Sequence, residues 1–270
     1  MQWIKDLFKT EKPIIAMCHF QPMPGDPYYD AEGGMEKVVE LARHELTALQ
    51  NGGVDAVMFS NEMSLPYLTR VHPETTVAMA RVIGELKSGI RVPYGVNVLW
   101  DPVASIDLAA AVDARFIREI LTGVYASDFG VWNTNVGETI RHKMHLHQDK
   151  LRILYNIVPE AAVYMGERDI RDIARSTVFN NRPDILCVSG LTAGIETDAQ
   201  ILAQVREAVP GTPVFCNTGC REDNIARQLA ASDGAVVGTT FKVDGKFENL
   251  VDEKRVAGFM KAVRNFRDGG

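Results

Sequence analysis

The sequence predicts a single α/β domain of the (β/α)8-barrel type, and three observations predict it. Short apolar runs alternate with longer amphipathic ones from one end of the chain to the other. The short runs occupy residues 13–19, 54–60, 92–99, 114–120, 152–157, 184–189, 213–218 and 234–239. The helical patterns that follow them occupy residues 34–51, 74–88, 102–112, 134–147, 169–179, 197–209, 222–231 and 253–266. The short runs, such as PIIAM, DAVMF, DILCV and GAVVG, are hydrophobic throughout rather than in alternation. Strands that read this way are buried on both faces, which favours parallel strands with helical crossovers. Eight such units in about 250 residues match the barrel. No GxGxxG follows the first strand, so a doubly wound dinucleotide fold is disfavoured and no nucleotide cofactor is expected. No linker, low-complexity stretch or charge block divides residues 1–270, which are expected to form one domain.

In such a barrel the active site lies where the strands end and the βα-loops begin, so the strand ends supply the candidates in order. The first strand ends at His19, followed by the Pro- and Gly-rich loop 21–27, whose restricted backbone would stiffen it over the barrel mouth. Ser60, Asn61 and Glu62 end the second strand, and Asn97 the third. Asp101 precedes Pro102 at the start of a helix and is expected to cap it. The fourth strand carries Arg118 and Glu119, of which one should point into the barrel and the other toward the helices. Its loop holds residues 122–128, including Asp128, and the fifth strand gives Asn156 and then Glu160, which could equally sit in a first helical turn. His19 and Glu62 are the foremost acid/base candidates, since an ionisable group ending an apolar strand is costly to bury without partners or solvent. Asn61, Asn97, Arg118, Glu119 and Asp128 complete the catalytic set.

The last three strands end differently. Ser189 and Gly190, followed by residues 191–194, end the sixth; Asn217, Thr218 and Gly219 the seventh; Gly238 and Thr239 the eighth. Small residues at a barrel mouth expose backbone N–H groups beside hydroxyls, and barrels often bind phosphate at the last two loops. Ser189, Gly190, Thr218, Gly219, Gly238 and Thr239 are therefore the expected phosphate-binding residues.

Composition narrows the partners. Twenty-nine Lys and Arg against 35 Asp and Glu give a net charge of −6. That lacks the basic footprint of nucleic-acid binding. No stretch approaches the ~20 apolar residues of a membrane span, and residues 1–12 have no uninterrupted apolar core of a leader. Four scattered cysteines, Cys18, Cys187, Cys216 and Cys220, make no disulfide framework and no zinc motif, so reduced, buried thiols in a cytoplasmic protein are expected. His142, His145 and His147 are interleaved with Arg141 and Lys143 and fit a solvated helix surface better than a metal site. A divalent metal is compatible with Glu62, Asp101, Glu119 and His19 if they converge. None of the first seven strands supplies an inner lysine for Schiff-base chemistry; Lys242, past the eighth, is expected to be a phosphate partner or a surface charge.

The runs IIAMCHFQPMPGDP, FIREILTGVYASDFG and DGAVVGTTFKVDG resemble the BtpA family of barrel proteins. Within it the SgcQ-like branch is matched over nearly the whole chain, through GGVDAVMFSNE, VPYGVNVLWDPVAS, TNVGETIRH, NIVPEAAVY, STVFNN and LCVSGLTAG. The resemblance implies a ribulose-phosphate-binding type of barrel. BtpA proteins are associated with photosystem I biogenesis, the SgcQ-like branch with gene neighbourhoods for phosphorylated carbohydrates. Glu119 stands where the family usually has Asn, and Ser60–Asn61–Glu62 where many members have Glu-Asn followed by Phe-Gly, so the photosystem role is not carried over.

The expected function is therefore an enzyme acting on a small phosphorylated sugar, of isomerase, epimerase or lyase type. His19 and Glu62 would exchange protons, and Asn61, Asn97 or Arg118 would steady an enediolate oxygen. The competing class is a non-catalytic sugar-phosphate sensor or assembly factor, which would carry an exposed apolar patch at the barrel rim. Homo-oligomer formation is expected in either case.

Overall fold

The computed structural model describes residues 2–190 and 196–269. Eight parallel strands close into a barrel: β1 (Ile14–His19), β2 (Ala56–Ser60), β3 (Tyr94–Asn97), β4 (Phe116–Glu119), β7 (Arg152–Val158), β9 (Ile185–Val188), β10 (Val214–Cys216) and β11 (Ala235–Val237). β1 closes the ring by pairing with both β2 and β11. The outer helices are α2 (Gly34–Gly52), α3 (Pro73–Leu86), α4 (Pro102–Val112), α5 (Val136–His145), α6 (Ile170–Asn181), α7 (Ala199–Ala208), α8 (Ile225–Ala231) and α9 (Glu253–Asp268). Each barrel strand is thus followed by its expected helix.

Side-chain alternation divides each strand between two cores. Ile14, Ala16 and Cys18 of β1 join the layer between barrel and helices, whereas Ile15 and Met17 face inward with Met58, Phe116, Leu154, Cys187, Phe215 and Val236. Gly95 makes room inside: a Cβ there would stand 2.3 Å from the Phe116 ring. The N-terminal end is closed by a helix that periodicity did not reveal, α1 (Gln2–Phe8), whose Ile4 and Phe8 belong to the inner cluster. Phe8 meets Phe116 edge-on at 5.5 Å.

The second departure lies after β4. Residues 122–128, expected as a loop, begin a three-stranded antiparallel sheet of β5 (Val124–Ser127), β6 (Gly130–Asn133) and β8 (Ala162–Tyr164), with β5 central. Register places Trp132, Tyr125 and Tyr164 in one row and Val131, Ala126 and Val163 in the next. The first row packs on Leu99, Trp100 and Ile120 at the barrel rim. The second faces outward, with Val131 68% and Val163 72% exposed.

Candidate functional site

The last inward positions of the strands form a polar ring at the C-terminal mouth: His19, Ser60, Asn97, Arg118, Asn156, Ser189 and Asn217, completed by Gly238. Arg118 spans it. Its Nη2 donates to Asn97 Oδ1 at 2.8 Å and its Nη1 to Asn217 Oδ1 at 3.0 Å. Asn217 Nδ2 donates to Ser189 Oγ at 2.8 Å, and Asn156 Nδ2 to the same oxygen at 3.1 Å. A buried guanidinium with several donors satisfied in one plane is rigidly oriented. His19 Nδ1 and Ser60 Oγ, in register on β1 and β2, are buried with no hydrogen-bond partner.

Above the ring opens a cavity of 360 Å³. Its middle holds two carboxyl groups, Glu62 from the loop after β2 and Glu160 from the loop after β7. Burial raises Glu62, outweighing Arg118, whose Nη2 is 3.6 Å from Glu62 Oε1. Burial pushes Glu160 up to about 7, the neighbouring Glu62 adds to this, and Arg118 opposes it. Both carboxyls therefore hold a proton more readily than a free carboxyl does. Burial, with the Lys242 and Arg118 charges, depresses the His19 imidazole well below its ordinary value, so it is neutral at pH 7.

One end of the cavity is built from the strand ends of small residues. Thr218, Gly219, Gly238, Thr239 and Thr240 line it, with Arg221 and Arg255 beside them. Gly219 has φ +67°, a conformation that disfavours any side chain there. A Cβ at Gly238 would stand 3.3 Å from the His19 ring. The opposite end is apolar: Tyr67, Leu99, Trp100, Ile120 and Phe129.

Other expected residues are placed elsewhere. Glu119, adjacent to Arg118, points the other way: its Oε1 accepts from Ser105 Oγ and Asn97 Nδ2, both at 2.6 Å, behind the barrel wall. Burial pushes its carboxyl up to about 8. Asn97 reaches Arg118 but does not line the cavity, and Asn61 Oδ1 accepts from the Leu99 N–H at 2.7 Å, holding a loop. Asp128 sits exposed in the turn between β5 and β6 and does not line the cavity, because in that turn it is the neighbouring Phe129 that faces the mouth. Asp101 caps α4 by accepting from the Ala104 N–H at 3.1 Å and also accepts from the Val71 N–H at 2.9 Å. With Asp101 and Glu119 so engaged, the four residues considered for a metal do not converge. Among the described residues no group of three His, Cys, Asp or Glu stands in metal-binding array. His142 instead meets Asp107 at 2.6 Å on the helix surface.

Of the phosphate candidates, Thr218, Gly219, Gly238 and Thr239 line the cavity. Ser189 is buried in the ring, and the Gly190 N–H already donates to Thr218 Oγ1 at 2.5 Å. Residues 191–194 lie outside the described residues. Lys242 is neither a phosphate partner nor a surface charge. It is fully buried in an ion pair with Glu45, whose other carboxylate oxygen accepts from the His19 N–H at 3.1 Å. A chain that returns past β11 to pack on α2 buries this lysine, and the pair fixes the end of β1.

Periodicity missed Arg221, Arg255 and the aromatic wall. Arg255 stands in the first turn of α9 and reaches the mouth only because the barrel closes. Tyr67, Trp100 and Phe129 lie in segments without a regular pattern. The four cysteines are buried and free, as expected. No helix of the described residues is long and apolar enough to cross a membrane.

The BtpA family model matches residues 10–265. The chain is 62% identical over 267 residues to the putative sgc region protein SgcQ of Escherichia coli (strain K12), covering 99% of this chain and 100% of that protein. It is 32% identical over 259 residues to the photosystem I biogenesis protein BtpA of Synechocystis sp., covering 95% and 89%. A solved structure, (S)-3-O-geranylgeranylglyceryl phosphate synthase from Thermoplasma acidophilum in complex with sn-glycerol-1-phosphate, shares the fold. Its TM-score is 0.62 at 14% identity, over 98% of each chain.

Proposed function

This chain belongs to the BtpA family, and we propose that it is an enzyme of phosphorylated-carbohydrate metabolism that moves a proton on its substrate, as an isomerase, epimerase or lyase does. The observation that carries this reading is the meeting of Glu62 and Glu160, both raised, beside Arg118 in a cavity whose far end is made of small residues and two arginines. The phosphate sits at Thr218, Gly219, Gly238 and Thr239, drawn by Arg255, while Arg221 is paired with Glu196 and Asp223 at the edge of the site. Anchoring there spends binding energy on orienting the reacting carbons over the carboxyl pair. Whichever carboxyl is ionised accepts the proton from a carbon next to a carbonyl, and its protonated neighbour returns one. Arg118 faces the oxygen on which negative charge develops, and neutral His19 offers one donor and one acceptor to the same region.

The test is proton exchange into deuterated water, followed by NMR, over a panel of ketose and aldose phosphates. One C–H signal should disappear with the wild-type protein, and Glu62→Gln and Glu160→Gln should slow that loss by ~10²–10⁴-fold. Sugar phosphates that bind without any exchange would rule out the proton-transfer role.

A second reading has one observation in its favour. The outward row of the rim sheet, Val131, Ala126 and Val163, with Met165 55% exposed beyond it, is the apolar patch a scaffold or a self-associating barrel requires. We place the enzyme in the cytoplasm as a homo-oligomer; the free thiols support the first and this face the second. Light scattering on Val131→Lys and Val163→Lys decides whether the face joins copies of this chain: dissociation favours self-association, an unchanged mass does not.

A further inference from the structure

The cavity has three regions, and the proton-transfer reading uses two. The third is the apolar wall opposite the phosphate end, where Trp100, Tyr67 and Phe129 stand with Leu99 and Ile120. Three separate segments supply its aromatic rings: the loop after β2 gives Tyr67, the loop after β3 gives Trp100, and the β5–β6 turn gives Phe129. Trp100 holds φ +70°. A bulky residue is rarely found in that conformation and keeps it only when its surroundings insist. They do so on both sides, because the Leu99 N–H donates to Asn61 Oδ1 at 2.7 Å and the Asp101 N–H to the Val98 carbonyl at 2.9 Å.

Trp132 stacks on the Trp100 indole with centroids 4.7 Å apart and planes at 24°. Phe129 approaches it edge-on at 4.2 Å, and Tyr67 lies tilted against it at 5.2 Å. These three rings enclose the indole, of which 8% is exposed, so the wall meets the cavity through the half-buried Phe129 and Tyr67 rings and a margin of Trp100. A small sugar phosphate made only of hydroxylated carbons gives this surface nothing to stack on, and a cavity of 360 Å³ is of a size that takes a larger ligand.

We infer that the substrate is a sugar phosphate bearing a planar aryl or heteroaryl substituent at the end remote from its phosphate, and that this substituent packs on the wall of Trp100, Tyr67 and Phe129. The inference rests on the phosphate-anchored reading above. It makes these residues determinants of specificity, with the carboxyl pair lying between the anchored phosphate and the stacked ring.

Calorimetric titration with matched methyl and phenyl glycosides of ribose 5-phosphate and glucose 6-phosphate tests it, since each pair differs only in the substituent. For at least one sugar, the phenyl compound should bind about tenfold or more tighter than its methyl partner, the order expected for stacking plus buried apolar area. Tryptophan fluorescence should change with the phenyl compound. In Trp100→Leu, and separately in Phe129→Leu should the first variant fail to fold, that advantage should shrink to about threefold or less, with affinity for the methyl compound kept. Equal affinities of methyl and phenyl compounds in the wild-type protein overturn the inference and leave the phosphate reading standing. If no phosphorylated compound binds, the phosphate reading falls and takes this inference with it.

Discussion

Arg118 Nη2 lies 3.6 Å from Glu62 Oε1, yet the Glu62 carboxyl is held above its ordinary value rather than below it. Burial of the carboxylate outweighs the attraction because the guanidinium is shared among Asn97, Asn217 and Glu62. Glu160, facing the same charge from β7's loop, behaves alike.

A pH dependence of stability follows. Both carboxyls prefer the protonated form in the folded chain, so the stability they contribute is complete below the unfolded value of 4.5 and is lost as pH rises through their raised folded values, about 7 for Glu160. The melting temperature of the wild-type protein should fall relative to that of Glu160→Gln across this interval and run parallel to it above. A constant difference from pH 4.5 to 8 would contradict the raised value.

Glu119 is raised to about 8 behind the wall, so at pH 7 it is a neutral acid. Glu119→Gln keeps an oxygen for Ser105 and Asn97 and should change urea stability by no more than about 1 kcal/mol at pH 7. Glu119→Leu strands both donors and should cost about 1–3 kcal/mol. A Glu119→Gln cost as large as that of Glu119→Leu would contradict a neutral Glu119.

Removing Arg118 leaves Asn97 and Asn217 short of a donor and Glu62 without its cation. Arg118→Met should destabilise by about 3–5 kcal/mol in chemical denaturation. Arg118→Lys should recover only part of this, since an ammonium cannot reach both amides in one plane. Full recovery would mean that charge alone matters.

Two glycines separate crowding from backbone freedom. Gly95→Ala drives a methyl into Phe116 and should cost about 1–3 kcal/mol or more. Gly84, exposed in the last turn of α3 with nothing within 4 Å of an added Cβ, should stabilise by about 0.5–1 kcal/mol when changed to Ala. Equal effects in thermal melts would contradict the packing described for the barrel interior.

Most of the barrel was legible because its strands are buried on both faces and its helices are amphipathic; both leave strong local patterns. The helix α1 was not, since seven residues with Lys5 and Asp6 among them hold too few turns to show a period. Nor was the rim sheet, whose strands have only three or four residues each and of which the first, between Gly123 and Gly130, read as a loop. At the mouth, strand alternation correctly separated Arg118 from Glu119 but did not say which faced inward. His19, Glu62 and the glycines at 219 and 238 were legible as strand ends. Arg255, the aromatic wall and the pairing of Glu160 with Glu62 depend on contacts between segments far apart in sequence, which no local pattern records.

The most direct measurement is a thermal-shift comparison of sugar phosphates with their unphosphorylated sugars, on the wild-type protein and on Gly238→Ala, whose added methyl would crowd His19 at the small-residue end of the cavity. A ligand at about a hundred times its dissociation constant adds roughly 2.7 kcal/mol of stability. At least one phosphorylated compound should raise the melting temperature while its parent sugar does not, and Gly238→Ala should lose the shift. Absence of a shift with every phosphorylated compound, or the same shift in Gly238→Ala, would contradict a phosphate site at the ends of β10 and β11.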